Sequence, residues 1–417
     1  MSMLEEGREL GRRQAEKAEG LVENMEAAFA STLDVYPTLV DIDLAKAIRD
    51  YDRERLACEP DYGKFPEMIG LLDRHVGERE GFREATGLDE TAIAFHFSWR
   101  WFVSRRINAH HVPRYNVPLE DPGCTNIFFP DGEEGVVAAS NRDDVRHPHY
   151  EEHLAKAFCG RLPVNNDIKG IVGSVSSSLY LDEEPECSFP CDPWELMPDE
   201  CYNSIDDMMD FMTRYREFHG PANQLWTDRS FNAVAVEKTT CRVAFRRPTV
   251  NGAVCVTACA YLDPEINAYK QERLKRVMEI RGETQEDSVD WHYDAGAAIR
   301  YRRLIDLTNA EANRAATLWG TFDIVSDTAV PWPDRICLAG EVSFPDKEAQ
   351  GNWTLTQNAQ VMTGPNRRML ARSIRTYEGD RPITDFIPYL ALGEGVEIRP
   401  EWQKDIDEGR CVLAPET

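Results

Sequence analysis

Residues 121–144 read DPGCTNIFFPDGEEGVVAASNRDD, and the prediction of the fold begins with them. Residues 124–129, CTNIFF, and residues 135–140, GVVAAS, are rich in side chains that favour β-strands. The Asp-Gly pair within residues 130–134 is a turn signal of the kind that joins antiparallel strands. The pattern therefore predicts a β-hairpin whose first strand begins with a cysteine.

Cys124 follows a turn that would let its thiol cut its own chain. Gly123 has no side chain, so its carbonyl carbon is open to close approach. Pro122 restrains the backbone on the other side of that glycine. Attack of the thiol on the Gly123 carbonyl, followed by hydrolysis, would release a new chain that begins at Cys124.

An N-terminal cysteine combines a nucleophile and a base in one residue. The α-amine has a reference pKa of about 7.7–8.0, so it exchanges protons near neutral pH. Asp143 lies across the predicted turn, where a carboxylate would hold this amine or the leaving group of a substrate. The residues alone leave a second interpretation open, in which Cys124 is an ordinary small residue of the core.

The rest of the chain predicts an α+β fold. Residues 1 to about 110 have helical periodicity, and Asp89 is a predicted N-cap for the helix that contains TAIAFHFSWRWFV. After Val117, blocks of strands and blocks of helices follow one another without regular βαβ alternation. Two antiparallel sheets with helical layers outside them, and a helical N-terminal segment packed on this catalytic unit, satisfy the pattern. Further strands are predicted within residues 170–181, 233–238, 241–247, 253–262, 336–344, 352–362 and 367–374, and further helices from about Ser204, over 265–281 and over 294–307.

Composition and charge limit the classes of partner. The 417 residues carry 47 Lys and Arg against 73 Asp and Glu, a net charge of −26. Such a surface repels nucleic acid and anionic lipid, so neither is expected as a partner. The N-terminus lacks the apolar region of a secretory signal, and no apolar stretch approaches the ~20 residues of a membrane span. We therefore expect a cytoplasmic protein with reduced thiols among its 11 cysteines, and oligomerisation stays open.

Common signatures of nucleotide binding, α/β-hydrolases and zinc proteases are absent from the sequence. His147, His149 and His153 lie close together and form the one alternative that would bind a divalent metal. A group of three cysteines is spaced too irregularly for a persuasive zinc site: Cys187, Cys191 and Cys201. The main hypothesis therefore includes neither a metal nor a cofactor.

Two short motifs of the predicted hairpin resemble a known family. Gly-Cys-Thr at residues 123–125, with Asn-x-Asp at residues 141–143, resembles the acyl-coenzyme A:6-aminopenicillanic acid acyltransferase-like family of cysteine N-terminal-nucleophile (Ntn) hydrolases. GRELGRRQAEK at residues 7–17 is similar to the opening helix of that family, with its paired glycines. The stretch 225–247 resembles its central hairpin, with matches at Asn232 and Glu237. Residues 334–341 and 352–371 resemble its closing strands.

The resemblance implies a four-layer αββα sandwich made as a precursor and cut between Gly123 and Cys124. The products would be a helical segment, residues 1–123, and a catalytic core, residues 124–417. The implied activity is an amidohydrolase or acyltransferase that forms a Cys124 acyl-enzyme from a small amide or thioester, such as an acyl-coenzyme A. Asp143 would be the electrostatic partner of the nucleophile, and Asn141 a neighbouring site residue.

The sequence departs from the family at two positions. Ala258 stands where the family places an oxyanion-binding asparagine, and Gln350 stands where some members carry an arginine. Asn126 or a backbone N–H would then have to supply the missing donor. The alternative is a relative that has lost catalysis, stays uncleaved and serves as a binding or scaffold protein. The acidic residues 181–200 would flank a pocket for a cationic group, or form a solvated loop.

Overall fold

The structure is a computed structural model. It describes residues 2–16, 18–58, 70–112, 125–129, 137–145, 171–176, 183, 204–214, 222–228, 232–247, 253–257, 260–310, 316–327, 329–330, 336, 354–363, 369–373, 377–378, 381–382, 388–391 and 397–413.

The N-terminal part of the chain is helical, as predicted. Its helices are α1 Met3–Ala15, α2 Leu21–Val35, α3 Leu44–Ala57, α4 Leu71–Thr86, α5 Glu90–Phe102 and α6 Asn108–His110, with a π-helical turn at Val103–Ile107 between the last two. The predicted N-cap of α5 is confirmed, because Asp89 Oδ1 accepts a hydrogen bond from the Ala92 amide at 2.9 Å. Tyr36, Leu44, Ile48 and Phe102 join α3 and α5 in one apolar cluster.

Helices α1 and α4 lie unusually close together because glycines line their contact. A Cβ added at Gly11 would lie 1.9 Å from the Glu78 carbonyl oxygen, and one added at Gly81 would lie 2.1 Å from the Arg8 carbonyl oxygen. Real Cβ atoms essentially never approach backbone this closely. The paired glycines that the sequence shows in α1 are therefore a packing surface, and α4 carries its own pair.

All the described strands begin at Thr125 or later, and they form two main sheets. The strands are β1 Thr125–Phe129, β2 Val137–Val145, β3 Ile171–Ser176, β4 Ala222–Asp228, β5 Ala233–Lys238, β6 Val243–Arg246, β7 Val254–Thr257, β8 Thr354–Thr363, β9 Met369–Ser373, β10 Tyr377–Glu378, β11 Arg381–Pro382, β12 Pro388–Ala391 and β13 Val412–Leu413. The larger sheet has the order β13-β12-β9-β8-β2-β1-β7, and the smaller has the order β3-β4-β5-β6. A separate ladder joins β10 to β11. The pairing is antiparallel except between β12 and the edge strand β13.

The predicted hairpin is confirmed as the β1–β2 pair. Of the predicted strand over 336–344, only Ile336 lies within the described residues. The remaining helices are α7 Ile205–Arg214, α8 Pro264–Arg281, α9 Val289–Ala310, α10 Leu318–Val325 and α11 Pro400–Asp407. Ser204 caps α7 as predicted, since its Oγ accepts from the Asp207 amide at 3.1 Å.

Alternating side chains of the strands pack into separate apolar clusters. On one face of the larger sheet, Ile127 and Cys255 pack with Leu304 of α9 and Phe322 of α10. A second cluster joins the two sheets, with Phe128, Ala138 and Val256 from the larger and Leu225, Ala233 and Ala235 from the smaller. The other face of the smaller sheet packs against α7, through Val234, Val236, Met208, Phe211 and Met212.

These elements confirm the α+β class. One expectation is wrong in part: Cys58 is disulfide-bonded, whereas Cys241, Cys255 and Cys411 are free thiols. Among the described helices, none combines the length and apolar character that crossing a membrane requires.

Candidate functional site

The start of β1 is the centre of the candidate site. β1 begins at Thr125, the residue that follows Cys124 in the sequence, while Gly123 and Cys124 themselves lie outside the described residues. In the backbone register, Thr125 lies between Asn141 of β2 and Thr257 of β7. The strand that follows the predicted nucleophile is therefore paired on both sides, and it lies next to β7, the last strand in the described order of its sheet.

Both candidate partners of Cys124 lie on β2. Asn141 pairs with Thr125 on one side and with Ala359 of β8 on the other. Asp143 pairs with Thr356, and the register shifts between Arg142 and Asp143. Such irregularities bend a strand locally and change its alternation. The hairpin brings the backbone of Asn141 directly beside β1, and Asp143 follows two residues later.

Asn126, the second residue of β1, carries a buried side-chain amide. Its side chain is 1% exposed, and neither Oδ1 nor Nδ2 has a partner among the described residues. Its neighbours in the register are Ser140 and Val256. Because Phe128, two residues further along, packs between the sheets, strand alternation places Asn126 on the same inter-sheet face.

Asn223 of β4 joins the two sheets at this end of β7. Its Nδ2 donates to the carbonyl oxygens of Thr257 at 2.8 Å and Ala260 at 2.9 Å. The two acceptors flank residues 258 and 259 in the sequence. Ala258, the departure from the family pattern, lies outside the described residues. The backbone on either side of that position is thus held by a side chain of the opposite sheet.

Glu237 has a complete set of structural partners. The carboxylate is fully buried and accepts from Arg246 Nε at 2.6 Å and from the amides of Leu262 and Asp263 at 2.7 Å each. These bonds fix the start of α8 against β5. Arg246 also donates to the Tyr301 hydroxyl at 3.4 Å, and burial raises the pKa of that phenol. Glu237 therefore contributes to architecture at a position that the sequence matched to the family.

Asn232, the other matched residue of the central hairpin, shapes a turn. The Asp228 carboxylate accepts from the Asn232 amide at 3.0 Å and from the Asn232 side chain at 3.1 Å. It also accepts from the Ile205 amide at 3.1 Å, where α7 begins. One buried carboxylate thus ties the β4–β5 connection to the first turn of α7.

The thiol of Cys255 is unsuited to nucleophilic chemistry. It lies on the face of the larger sheet that packs against helices, and burial raises its pKa to about 12. A thiol in that environment stays protonated at neutral pH. Cys241 and Cys411, the other free cysteines among the described residues, lie outside the β1–β2 hairpin.

The alternative sites can be placed only in part. His147, His149 and His153 lie outside the described residues, as do Cys187, Cys191, Cys201 and Gln350. Within the described part of the chain, no three metal-ligating side chains form a cluster. Of the acidic residues 181–200, Glu183 is described: it forms an ion pair with Arg242 and accepts from the Cys241 amide at 3.0 Å. The Glu183 carboxylate therefore binds other groups of the protein itself.

Asn223 was not among the residues predicted from the sequence. The available signal was a polar pair, Asn223–Gln224, directly before the apolar and aromatic residues Leu225 and Trp226. Buried polar residues in a strand commonly bond to a neighbouring element. No protein-family model matches the chain, and no curated protein matches it either.

Proposed function

We propose that this chain is a cysteine Ntn amidohydrolase or acyltransferase that acts through a Cys124 acyl-enzyme after cleavage at Gly123–Cys124. The observation that carries the proposal is the position of β1. The residue after Cys124 starts a strand that is paired on both sides and whose inner face packs on a second antiparallel sheet. We therefore expect the nucleophile at the head of this strand to act in the space between the two sheets.

The packing of the described helices supports the four-layer αββα architecture within this proposal. Helices α9 and α10 cover the outer face of the larger sheet, and α7 covers the outer face of the smaller one. The order of layers along this section is helix, sheet, sheet and helix. That order is what the resemblance to Ntn hydrolases implies.

The proposed activation is an N-to-S acyl shift. The Cys124 thiol gives up its proton and adds to the Gly123 carbonyl carbon, the C–N bond breaks, and the departing α-amine takes up that proton. Water then hydrolyses the thioester and releases the Gly123 carboxylate and the Cys124 thiol. The free amine next takes the proton of this thiol during attack on a substrate.

Turnover uses the same two groups. The thiolate attacks the carbonyl of a small amide or thioester, such as an acyl-coenzyme A, and the protonated amine gives its proton to the leaving amine or thiol. Water or a second amine then takes the acyl group from Cys124. Asp143 is assigned to electrostatic stabilisation of the Cys124 ammonium. Asn141 is assigned to the part of the site that faces the substrate.

The alternative is a binding or scaffold protein of the same fold. Ala258 favours this alternative, because an alanine side chain cannot donate a hydrogen bond. The family that the chain resembles obtains that bond from an asparagine at this position. This function requires an intact chain and a Cys124 thiol of ordinary reactivity. The two functions therefore predict different states of the peptide bond between Gly123 and Cys124: it is cut in the enzyme and intact in the scaffold protein.

Intact-mass measurement and N-terminal sequencing of the purified protein test the proposal. Wild type is expected as two fragments, residues 1–123 and 124–417, and Cys124→Ala as one chain. Cys241→Ala is the matched control, because it removes a free thiol away from the hairpin, and it should be cut like wild type. An uncut wild-type chain, with Cys124 inert towards acylating probes, would establish the scaffold alternative.

A further inference from the structure

We infer that the side-chain amide of Asn126 binds the carbonyl oxygen of the substrate and stabilises the negative charge that develops on it. This inference rests on the proposed function, since it assigns the oxyanion donor of that site. In this assignment, Asn126, two residues after the nucleophile, supplies the hydrogen-bond donor that the alanine side chain at position 258 cannot supply.

The side-chain amide of Asn126 is buried. An amide carries two donors and one acceptor, and buried polar groups in proteins are nearly always paired. Asn126 is 1% exposed, yet neither end of its amide has a partner among the described residues. Such a group lowers stability unless something else binds it. A substrate carbonyl satisfies the N–H end.

Asn126 is the first residue of β1 on the inter-sheet face, because residues i and i+2 of a strand share a face and Phe128 packs between the sheets. It follows the proposed nucleophile, Cys124, by two residues in the sequence. Under the proposed function, we expect the oxygen of the attacked carbonyl within reach of Asn126 Nδ2.

The inter-sheet face beside Asn126 is apolar. Its inter-sheet face continues into the apolar contact made by Phe128 and Val256. A hydrogen bond in such low-dielectric surroundings stabilises a developing oxyanion more than the same bond in water. Neutral amide donors also avoid the cost of burying a permanent charge.

Gln224 provides a matched control elsewhere in the fold. It is fully buried, and its Nε2 has no hydrogen-bond partner among the described residues. Its Oε1 accepts from Trp226 at 2.8 Å, and strand alternation puts both on the α7 side of the smaller sheet. Replacing Gln224 therefore removes a buried amide without changing the space between the sheets.

The test compares acylation and alkylation of Cys124 in the full chain. A p-nitrophenyl acyl ester acylates a thiol through a tetrahedral oxyanion, whereas iodoacetamide alkylates it without forming one. Rates at Cys124 are followed by peptide mass mapping in wild type, Asn126→Leu, Asn126→Ala and Gln224→Leu. Each rate is divided by the fraction of chains that begin at Cys124.

We expect Asn126→Leu to acylate about 10²–10³-fold more slowly than wild type, with alkylation unchanged. Gln224→Leu should match wild type in both reactions. Asn126→Ala serves if the leucine variant does not fold. The inference is overturned if acylation by the Asn126 variants is normal, if alkylation falls as much as acylation, or if the folded variants remain wholly uncut. Failure of the wild-type chain to be cut or acylated would instead remove the proposed function.

Discussion

The Nδ2 atom of Asn223 on β4 donates to the carbonyl oxygen of Thr257 on β7 at 2.8 Å, and this bond joins the two sheets. The same nitrogen donates to Ala260 at 2.9 Å. Both bonds are buried, and they hold the chain on either side of residues 258 and 259. Strand β7 of the larger sheet, which pairs with β1, is therefore held in place in part by a side chain of the smaller sheet.

Replacement of Asn223 should weaken the fold. Asn223→Ala leaves two buried carbonyl groups without this donor, and the loss of a partner typically costs ~1–3 kcal/mol per buried group. We expect the free energy of unfolding to fall by about 2–4 kcal/mol in urea titrations. Asn24→Ala, at an exposed position of α2, should cause no loss. Equal stabilities of the two variants would show that the inter-sheet bonds contribute little.

Local patterns predicted the elements around the candidate site. The Asp-Gly turn and the flanking strand formers predicted β1 and β2, and the register confirms their pairing from Thr125–Asn141 to Phe129–Val137. The caps at Asp89 and Ser204 were also predictable. Each of these features depends on residues within a few positions of one another.

Features that depend on distant residues were not predictable in the same way. The pairing of Thr125 with Thr257 joins positions more than one hundred residues apart, and nothing near either residue specifies the other. The disulfide of Cys58 likewise depends on a partner that spacing alone does not identify. The unpaired state of Asn126 follows from what surrounds it in three dimensions. Cys124 and the side chain of Asp143 remain predictions of the sequence.

Alanine at Gly11 should destabilise the protein, although alanine favours helices by up to about 1 kcal/mol over glycine. The added Cβ would lie 1.9 Å from the Glu78 carbonyl oxygen, so α1 and α4 would have to separate. We expect a net loss of about 1–3 kcal/mol, measured by thermal or urea unfolding. Arg13→Ala, on an exposed face of α1, is the control and should be nearly neutral. A Gly11→Ala protein as stable as this control would contradict the close contact.

His75 should make the helical N-terminal part sensitive to acid. Burial lowers the pKa of His75, and nearby Arg79 and Arg55 act in the same direction, while Glu78 opposes them with its Oε2 3.8 Å from Nδ1. Because the folded pKa lies below the reference value of 6.5, the unfolded chain binds a proton that the folded chain does not. The stabilisation is therefore present above pH 6.5 and is lost as the pH falls.

His75→Gln separates this contribution from other acid effects. Between pH 7 and pH 5, wild type should lose up to ~1.4 kcal/mol per pH unit more than the variant, in urea titrations at each pH. The ring also packs edge-on against Phe97, so the variant is expected to be less stable at pH 7. A constant difference between the two proteins across this range would show that His75 does not stay neutral in the fold.

Cleavage after residue 123 should leave the two fragments associated. Leu71 at the start of α4 is buried with Met208 and Phe211 of α7, and Met3 of α1 packs against the same cluster. Arg273 of α8 also donates to the Asn108 carbonyl oxygen at 3.2 Å. We expect both fragments to elute together in native size-exclusion chromatography and to separate in denaturant. Leu71→Ala should cost about 2–5 kcal/mol and promote dissociation, whereas Leu33→Ala, at an exposed position, should do neither. Fragments that separate without denaturant in wild type would show that the peptide bond, rather than this cluster, holds the helical segment to the core.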